Sequence, residues 1–164
     1  MNRGVIFDLE GTLVKLPIDY RALYSKIKQE LLLTKVRPLT ETVKNLDAQS
    51  QDKLFKLWEH AEMEAFPKSS PNEEGMKLLR KHLEKPLALV TMQGRKAVTK
   101  ILEYYRLPFR TTITREDAID RKAQIEIAIH KLNLEPKDVL MIGDRKSDQI
   151  SATLAGCEFL MVRT

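Results

Sequence analysis

Short apolar segments alternate with amphipathic segments through the second half of the chain, and this alternation limits the fold more than any other feature. Apolar segments typical of buried strands cover residues 86–91, 139–142 and 159–162. Between them, apolar residues recur at the spacing of one helix face, as at Val98 and Ile101. Continuous apolar strands separated by such helices indicate a parallel sheet covered by helices on both faces. We therefore expect an α/β fold with a Rossmann-like, doubly wound parallel sheet.

Residues 16–67 have a different pattern. Apolar side chains recur at helical spacing over 20–31 and 54–65, and no strand is predicted there. Proline-containing stretches flank this part of the chain, and they are typical of linkers. The pattern favours a helical cap subdomain, 16–67, inserted after the first strand of an α/β core formed by 1–15 and 68–164. Helices that pack directly on the sheet are the alternative.

Composition and charge argue against several classes of protein. The 164 residues contain 28 lysines and arginines and 23 acidic residues, for a formal net charge of +5. The basic residues alternate with acidic ones and form no block interleaved with aromatic residues, which argues against nucleic acid as a partner. No run of the sequence approaches the roughly 20 apolar residues that a membrane span requires. A single cysteine, Cys157, excludes an intramolecular disulfide and fits a reducing compartment, so we expect a cytoplasmic protein.

Acidic residues directly follow two of the predicted strands. Asp8 and Glu10 come after the first apolar run of the chain, and Asp144 and Asp148 come after the run at 139–142. Because the carboxyl ends of parallel strands share one edge of a sheet, we expect these four carboxylates to converge. Carboxylates at such short range repel one another unless a cation neutralises them. Oxygen ligands without histidine or cysteine favour Mg²⁺ over zinc.

A hydroxyl group and a cation are predicted beside the carboxylates. Thr91 ends the strand predicted at 86–91, and Lys122 lies at the start of a predicted helix. Together they could hold the oxygens of a phosphate group. Such a set supports attack of one carboxylate on phosphorus, with a second acid moving the proton and a metal ion screening the negative charges.

The order of these motifs resembles that of the haloacid dehalogenase-like (HAD) superfamily, most of whose members are Mg²⁺-dependent phosphatases. The first motif, Asp8-Leu9-Glu10-Gly11-Thr12, stands where the family has Asp-x-Asp-x-Thr. The last, Gly143-Asp144-Arg145-Lys146-Ser147-Asp148, matches the family's Gly-Asp-x-x-x-Asp in full, with Thr91 and Lys122 between the two. The resemblance covers the whole chain and implies a phosphomonoester hydrolase that acts through an aspartyl-phosphate.

The resemblance also implies a role for each motif residue. Asp8 would be the nucleophile and a metal ligand, and Asp144 and Asp148 would complete the metal site. Glu10 would be the acid/base, with its backbone carbonyl on the metal. The remaining candidates would bind phosphoryl oxygens or other parts of the substrate; they are Thr12, Thr91, Met92 through its backbone N–H, Arg95 and Lys122. Three other cations compete with Lys122 for its role: Arg121, Lys131 and Lys137.

Glu10 departs from the family pattern, which has Asp at this position. The extra methylene adds about 1.5 Å of reach in a site where about 1 Å of misplacement can cost on the order of a hundredfold in rate. Three outcomes stay open: a working phosphatase, slow hydrolysis of the aspartyl-phosphate, or binding of metal and phosphate without turnover.

The substrate expected from this sequence is a small phosphorylated metabolite, with neither a membrane nor a nucleic acid as partner. A non-catalytic metal- and phosphate-binding module is the alternative from another functional class. A mutase-like phosphotransferase of the same superfamily is a further variant. Monomer and homodimer are both compatible with the sequence.

Overall fold

The computed structural model describes residues 2–164 and contains a parallel sheet of five strands beside a short antiparallel pair. The strands are β1 (Gly4–Asp8), β2 (Val14–Lys15), β3 (Ser70–Pro71), β4 (Leu87–Val90), β5 (Thr111–Ile113), β6 (Val139–Gly143) and β7 (Glu158–Met161). Their order in the large sheet is β5-β4-β1-β6-β7, and every neighbouring pair in it is parallel. The predicted α/β fold with a parallel sheet is confirmed.

Seven α-helices connect the strands within the described residues 2–164. They are α1 (Tyr20–Leu31), α2 (Leu39–Lys44), α3 (Ala48–Ala65), α4 (Glu73–Lys81), α5 (Arg95–Tyr105), α6 (Arg121–Leu132) and α7 (Lys146–Leu154). The last four alternate with the strands of the large sheet, as the apolar periodicity predicted. None of the helices in that part of the chain has both the length and the apolar character needed to cross a bilayer.

The central strand β1 is buried on both faces, which explains its unbroken apolar sequence. Val5 and Phe7 pack in one core cluster with Ile101 of α5, whereas Ile6 packs in another with Ile125 of α6. Successive side chains of a strand point to opposite faces, so one apolar run supplies both cores. Helices therefore cover the sheet on both sides, which confirms the doubly wound arrangement.

Helices α1, α2 and α3 lie between β2 and β3 and share an apolar cluster of their own. Leu23, Ile27, Leu54 and Trp58 are buried in it. The chain leaves and rejoins the α/β core through β2 and β3, which pair in antiparallel register. The division into a cap at 16–67 and a two-part core stays a prediction, and the structure places the three helices where that prediction expects them.

The turn that follows β1 is fixed by the start of α4. Asn72 donates from its side-chain amide to the carbonyl oxygens of Gly11 (2.9 Å) and Arg163 (3.0 Å), and its side-chain oxygen accepts the N–H of Glu74 (3.2 Å). One turn into the helix, a Cβ on Gly75 would overlap the carbonyl oxygen of Thr12 and lie 2.8 Å from the carbonyl carbon. The helix thus approaches the turn closely enough to require glycine.

We predict that Gly75→Ala destabilises the protein by about 1–3 kcal/mol, because the added methyl group must displace the backbone of Thr12. Where no such contact exists, alanine stabilises a helix by about 1 kcal/mol relative to glycine, so a loss of stability would point to the collision. Urea unfolding measures the change in the free energy of unfolding. Lys77→Ala on the exposed face of the same helix is the control, with an expected change within about 0.5 kcal/mol. Unchanged or increased stability of Gly75→Ala would contradict the close approach.

Candidate active site

Three of the four predicted carboxylates meet at the carboxyl edge of the sheet. Asp8, Asp144 and Asp148 each offer a carboxylate oxygen, and these oxygens lie within 4.8 Å of one another. Asp8 ends β1, while Asp144 directly follows the neighbouring strand β6 and Asp148 lies in the first turn of α7. The parallel pairing of β1 with β6 is what brings residues so distant in sequence together. The three oxygens could hold a metal ion.

Two glycines let these acids lie against the backbone. Gly11 has a positive φ of 83°, and a Cβ there would overlap the carboxylate of Asp144. A Cβ on Gly143 would lie 2.7 Å from the Oδ2 of Asp148. Any larger residue at either position would push a carboxylate out of the cluster.

A hydroxyl group and a guanidinium group contact the acids directly. Thr12 Oγ1 lies 3.1 Å from Asp8 Oδ2 and 3.2 Å from Asp144 Oδ1. Arg121, the first residue of α6, places Nη2 2.9 Å from Asp8 Oδ1 and Nε 3.0 Å from Asp148 Oδ1. One guanidinium therefore pairs with two of the three carboxylates.

The negative charge that remains at this site affects the pKa of Asp8. Burial raises the pKa of its carboxyl group well above the usual range, and the guanidinium of Arg121 opposes this. Asp148 and Asp144 raise that pKa further. A divalent cation among the three oxygens would favour the ionised form of Asp8. The donor set, all carboxylate oxygen, suits a hard cation.

Lys122 lies outside this cluster, and the neighbouring Arg121 is the residue that contacts the acids. The Nζ of Lys122 is 3.2 Å from Glu126 Oε1 on the exposed side of α6. Consecutive residues of a helix are rotated by about 100°, so Arg121 faces Asp8 while Lys122 faces away. The sequence named Arg121 as an alternative, but the residue order alone could not show which of the two points inward.

Arg95 is also not brought to the carboxylates. Its Nη2 lies 3.1 Å from Asp117 Oδ1, and its side chain is mostly exposed. Thr91 and Met92, by contrast, line the same cavity as Asp8. Their segment follows β4, the neighbour of β1 in the sheet.

Gln124 connects Thr91 to the charged cluster, and sequence reasoning missed it. This fully buried amide donates to the carbonyl of Thr91 (2.9 Å) and accepts from Arg121 Nη1 (2.9 Å). It therefore holds the end of β4 and orients the guanidinium. A polar residue beside Ile125, on the buried face of an amphipathic helix, is the signal that could have identified it.

The Glu10 side chain points toward the start of the helical segment. Its Oε1 lies 3.4 Å from the N–H of Leu16, and its Oε2 lies 3.7 Å from Arg145 Nη2. Burial raises the pKa of Glu10, while the Leu16 N–H and the Arg145 guanidinium act against the rise. A carboxyl group that stays protonated closer to neutral pH is better suited to donate a proton.

A cavity of about 610 Å³ opens above the acids. Its walls include Asp8, Glu10 and Thr91 from the sheet edge, and Tyr20 and Trp58 from helices α1 and α3. Both parts of the chain thus contribute to one site, whose volume is in the range of small-molecule pockets.

Solved structures share this fold at low sequence identity. A haloacid dehalogenase-like family hydrolase from Streptococcus pneumoniae is 18% identical with a TM-score of 0.70, covering 98% of this chain and 84% of its own. A Lactobacillus plantarum protein, provisionally named a phosphoglycolate phosphatase, is 22% identical with a TM-score of 0.66, covering 97% and 86%. A Thermotoga maritima protein, provisionally named a beta-phosphoglucomutase, is 17% identical with a TM-score of 0.64, covering 100% and 87%. At these identities the likeness shows the fold.

The family itself is identified from the sequence. No curated protein sequence matches the chain significantly. The sequence profile described as haloacid dehalogenase-like hydrolase, however, matches residues 5–162. Because this match extends over nearly the whole chain and agrees with the fold and the acidic cluster, the chain belongs to the haloacid dehalogenase-like hydrolase family.

Proposed function

We propose that the protein is a Mg²⁺-dependent phosphomonoester hydrolase that acts through an aspartyl-phosphate on Asp8. The observation that carries the proposal is the convergence of three carboxylates, the Thr12 hydroxyl and the Arg121 guanidinium. Of these groups, Asp8, Asp148 and Arg121 line the cavity. A dehalogenase needs no metal, and Asp144 and Asp148 would then have no role. The provisional name of the Lactobacillus plantarum relative points to phosphate chemistry as well.

The carboxylates of Asp8, Asp144 and Asp148 and the backbone carbonyl of Glu10 would hold Mg²⁺. When bound, the ion would offset the charge that the nucleophile and the substrate both carry. Its hard oxygen ligands are those that Mg²⁺ prefers.

Asp8 attacks phosphorus in the first step, so that a bond from its carboxylate oxygen to phosphorus forms and the bond to the ester oxygen breaks. Glu10 gives its proton to the departing alkoxide. In the second step Glu10 takes a proton from water, whose oxygen attacks phosphorus, and orthophosphate leaves while the Asp8 carboxylate is restored. Arg121 and Thr91 stabilise charge on the phosphoryl oxygens.

The raised pKa of Glu10 supports its role as acid/base. Its longer side chain reaches the Leu16 N–H, at the junction with the helical segment, and Arg145, which precedes α7. We therefore favour an active site that uses Glu10 as its acid/base over a site in which Glu10 prevents turnover.

The substrate we propose is a small phosphorylated metabolite that fits the cavity of about 610 Å³. The aromatic rings of Tyr20 and Trp58, which line the same cavity, would contact its leaving group. A cytoplasmic location stays a prediction, and so does the choice between monomer and homodimer.

Phosphate release from a generic aryl phosphate tests the proposal. We expect release that requires Mg²⁺, stops with chelator, and falls below detection in Asp8→Asn, because the amide cannot attack phosphorus. Asp52→Asn, an exposed acid on α3, is the matched control and should keep the wild-type rate.

Wild type that releases no phosphate from a panel of phosphoesters would contradict the proposal and favour a binding module. Isomerisation of a sugar phosphate much faster than hydrolysis would instead assign the protein to the phosphotransferases.

Metal binding can be measured without turnover. A ligand that binds only the folded state at a hundred times its dissociation constant stabilises a protein by about 2.7 kcal/mol. We therefore expect saturating Mg²⁺ to raise the thermal unfolding midpoint of wild type relative to chelator. Asp144→Asn should lose most of this rise because it removes one of the three carboxylates, and Asp52→Asn should retain it. An equal rise in Asp144→Asn would place the metal elsewhere.

Substitutions at the adjacent residues Arg121 and Lys122 test which of the two side chains binds phosphate. Arg121→Ala should lower kcat/KM for the aryl phosphate about 100-fold, the usual effect of losing one donor to a developing oxyanion. Lys122→Ala should change it less than about twofold, because this side chain pairs with Glu126 on the exposed side of α6. The reverse ranking would give the role to Lys122.

A further inference from the structure

A fully buried ion pair joins helix α3 to the α/β core. Glu62 of α3 and Arg115, which follows β5, both have side chains with no exposed area. They bond in a bidentate manner, with Nη1 to Oε2 at 2.7 Å and Nη2 to Oε1 at 3.0 Å. The guanidinium carbon lies 4.3 Å from the ring centroid of Trp58 and 5.3 Å from that of Phe55. The pair is therefore enclosed by aromatic rings of the same helix.

Both members of this pair also hold the backbone that follows β4. The two carboxylate oxygens of Glu62 accept the N–H of Gly94 at 3.1 and 3.3 Å. Arg115 Nη1 donates to the carbonyl of Met92 at 3.3 Å. A Cβ on Gly94 would lie 2.6 Å from Arg115 Nη2, so the pair reaches this backbone only because residue 94 is glycine.

Stability alone does not account for this arrangement. Replacing a buried ion pair by well-packed apolar residues is often neutral or stabilising. Two buried polar atoms of the pair and its surroundings also have no hydrogen-bond partner within residues 2–164; they are Arg115 Nε and Nε1 of Trp58, whose ring lies against the guanidinium. Unpaired buried groups of this kind cost free energy, which suggests that the pair is kept for the geometry it imposes.

We propose that Glu62 and Arg115 are positioning residues that hold the segment 91–94 in the form that binds the phosphoryl group. Thr91 Oγ1 accepts the N–H of Gln93 at 3.0 Å, which leaves its own proton for a phosphoryl oxygen. The Met92 N–H lies on the same segment. Helix α3 thereby acts on the reaction through the backbone it holds, in addition to covering the cavity. The catalytic part of this inference rests on the proposed phosphatase function.

The test replaces the pair by apolar residues of similar size, Glu62→Leu with Arg115→Met. We expect an unfolding midpoint close to that of wild type, because the loss of the desolvated charges offsets the cost of leaving the Gly94 N–H and the Met92 carbonyl without these partners. We also expect kcat for the aryl phosphate to fall about 30- to 100-fold, since about 1 Å of misplacement can cost on the order of a hundredfold. Hydrogen exchange at the Gly94 amide should become at least about tenfold faster, because that N–H loses its carboxylate partner.

Glu59→Gln is the matched control. Glu59 lies one turn earlier on α3 and faces Lys96 of α5 at 3.8 Å across the same boundary, but this pair is partly exposed to solvent. For Glu59→Gln, kcat and the rate of hydrogen exchange at the Gly94 amide should stay within about twofold of wild type. A stable apolar double variant with wild-type kcat and unchanged exchange would overturn the inference and leave the pair a purely structural role.

Gly94→Ala is a second test of the positioning role, for use if the double variant does not fold. The added methyl group would collide with the guanidinium while leaving both charges in place, so we expect kcat to fall at least about tenfold. A kcat within twofold of wild type would overturn the inference. Should wild type itself release no phosphate, the proposed function fails, and exchange at Gly94 in these variants still decides whether the pair holds the segment.

Discussion

The repulsion among three carboxylates is the constraint on which the site depends. Asp8, Asp144 and Asp148 have oxygens within 4.8 Å of one another, and one guanidinium, that of Arg121, faces two of them. The cluster can be held only because the surrounding backbone is fixed: the acids rest against glycine, and Asn72 holds the turn after β1 from the start of α4. The proposed function gives this costly arrangement a purpose, since it places a cation among these carboxylates.

The helical segment is joined to the chemistry at two points. Glu10 reaches the backbone of Leu16 at the start of that segment, and the Glu62–Arg115 pair reaches the backbone after β4. The cavity therefore has walls from both parts of the chain, and the position of α3 determines the shape of one of them. A buried pair with bidentate geometry is well suited to this because it tolerates little displacement.

Much of this could be predicted from residues close together in the chain. The apolar run at 139–142 became β6, Val139–Gly143, and the run at 86–91 became the slightly shorter β4, Leu87–Val90. Element ends are harder to predict because turns and caps compete with the last hydrogen bonds. Lys122 shows the other difficulty, because it lies one position from Arg121. The rotation of a helix by about 100° per residue turns the Arg121 guanidinium toward the acids and leaves the Lys122 ammonium on the more exposed side.

The sequence by itself determined the parallel sheet, the acids at its carboxyl edge and the family, because strand periodicity and the two acidic motifs are local in the chain. Only the tertiary structure decided that Arg121 pairs with Asp8, that Gln124 links it to Thr91, and that Glu62 meets Arg115. Each of these contacts joins segments that are far apart in sequence and meet only when helices and strands pack. The orientation of a single side chain at such a junction depends on that packing, and residue type and spacing do not encode it.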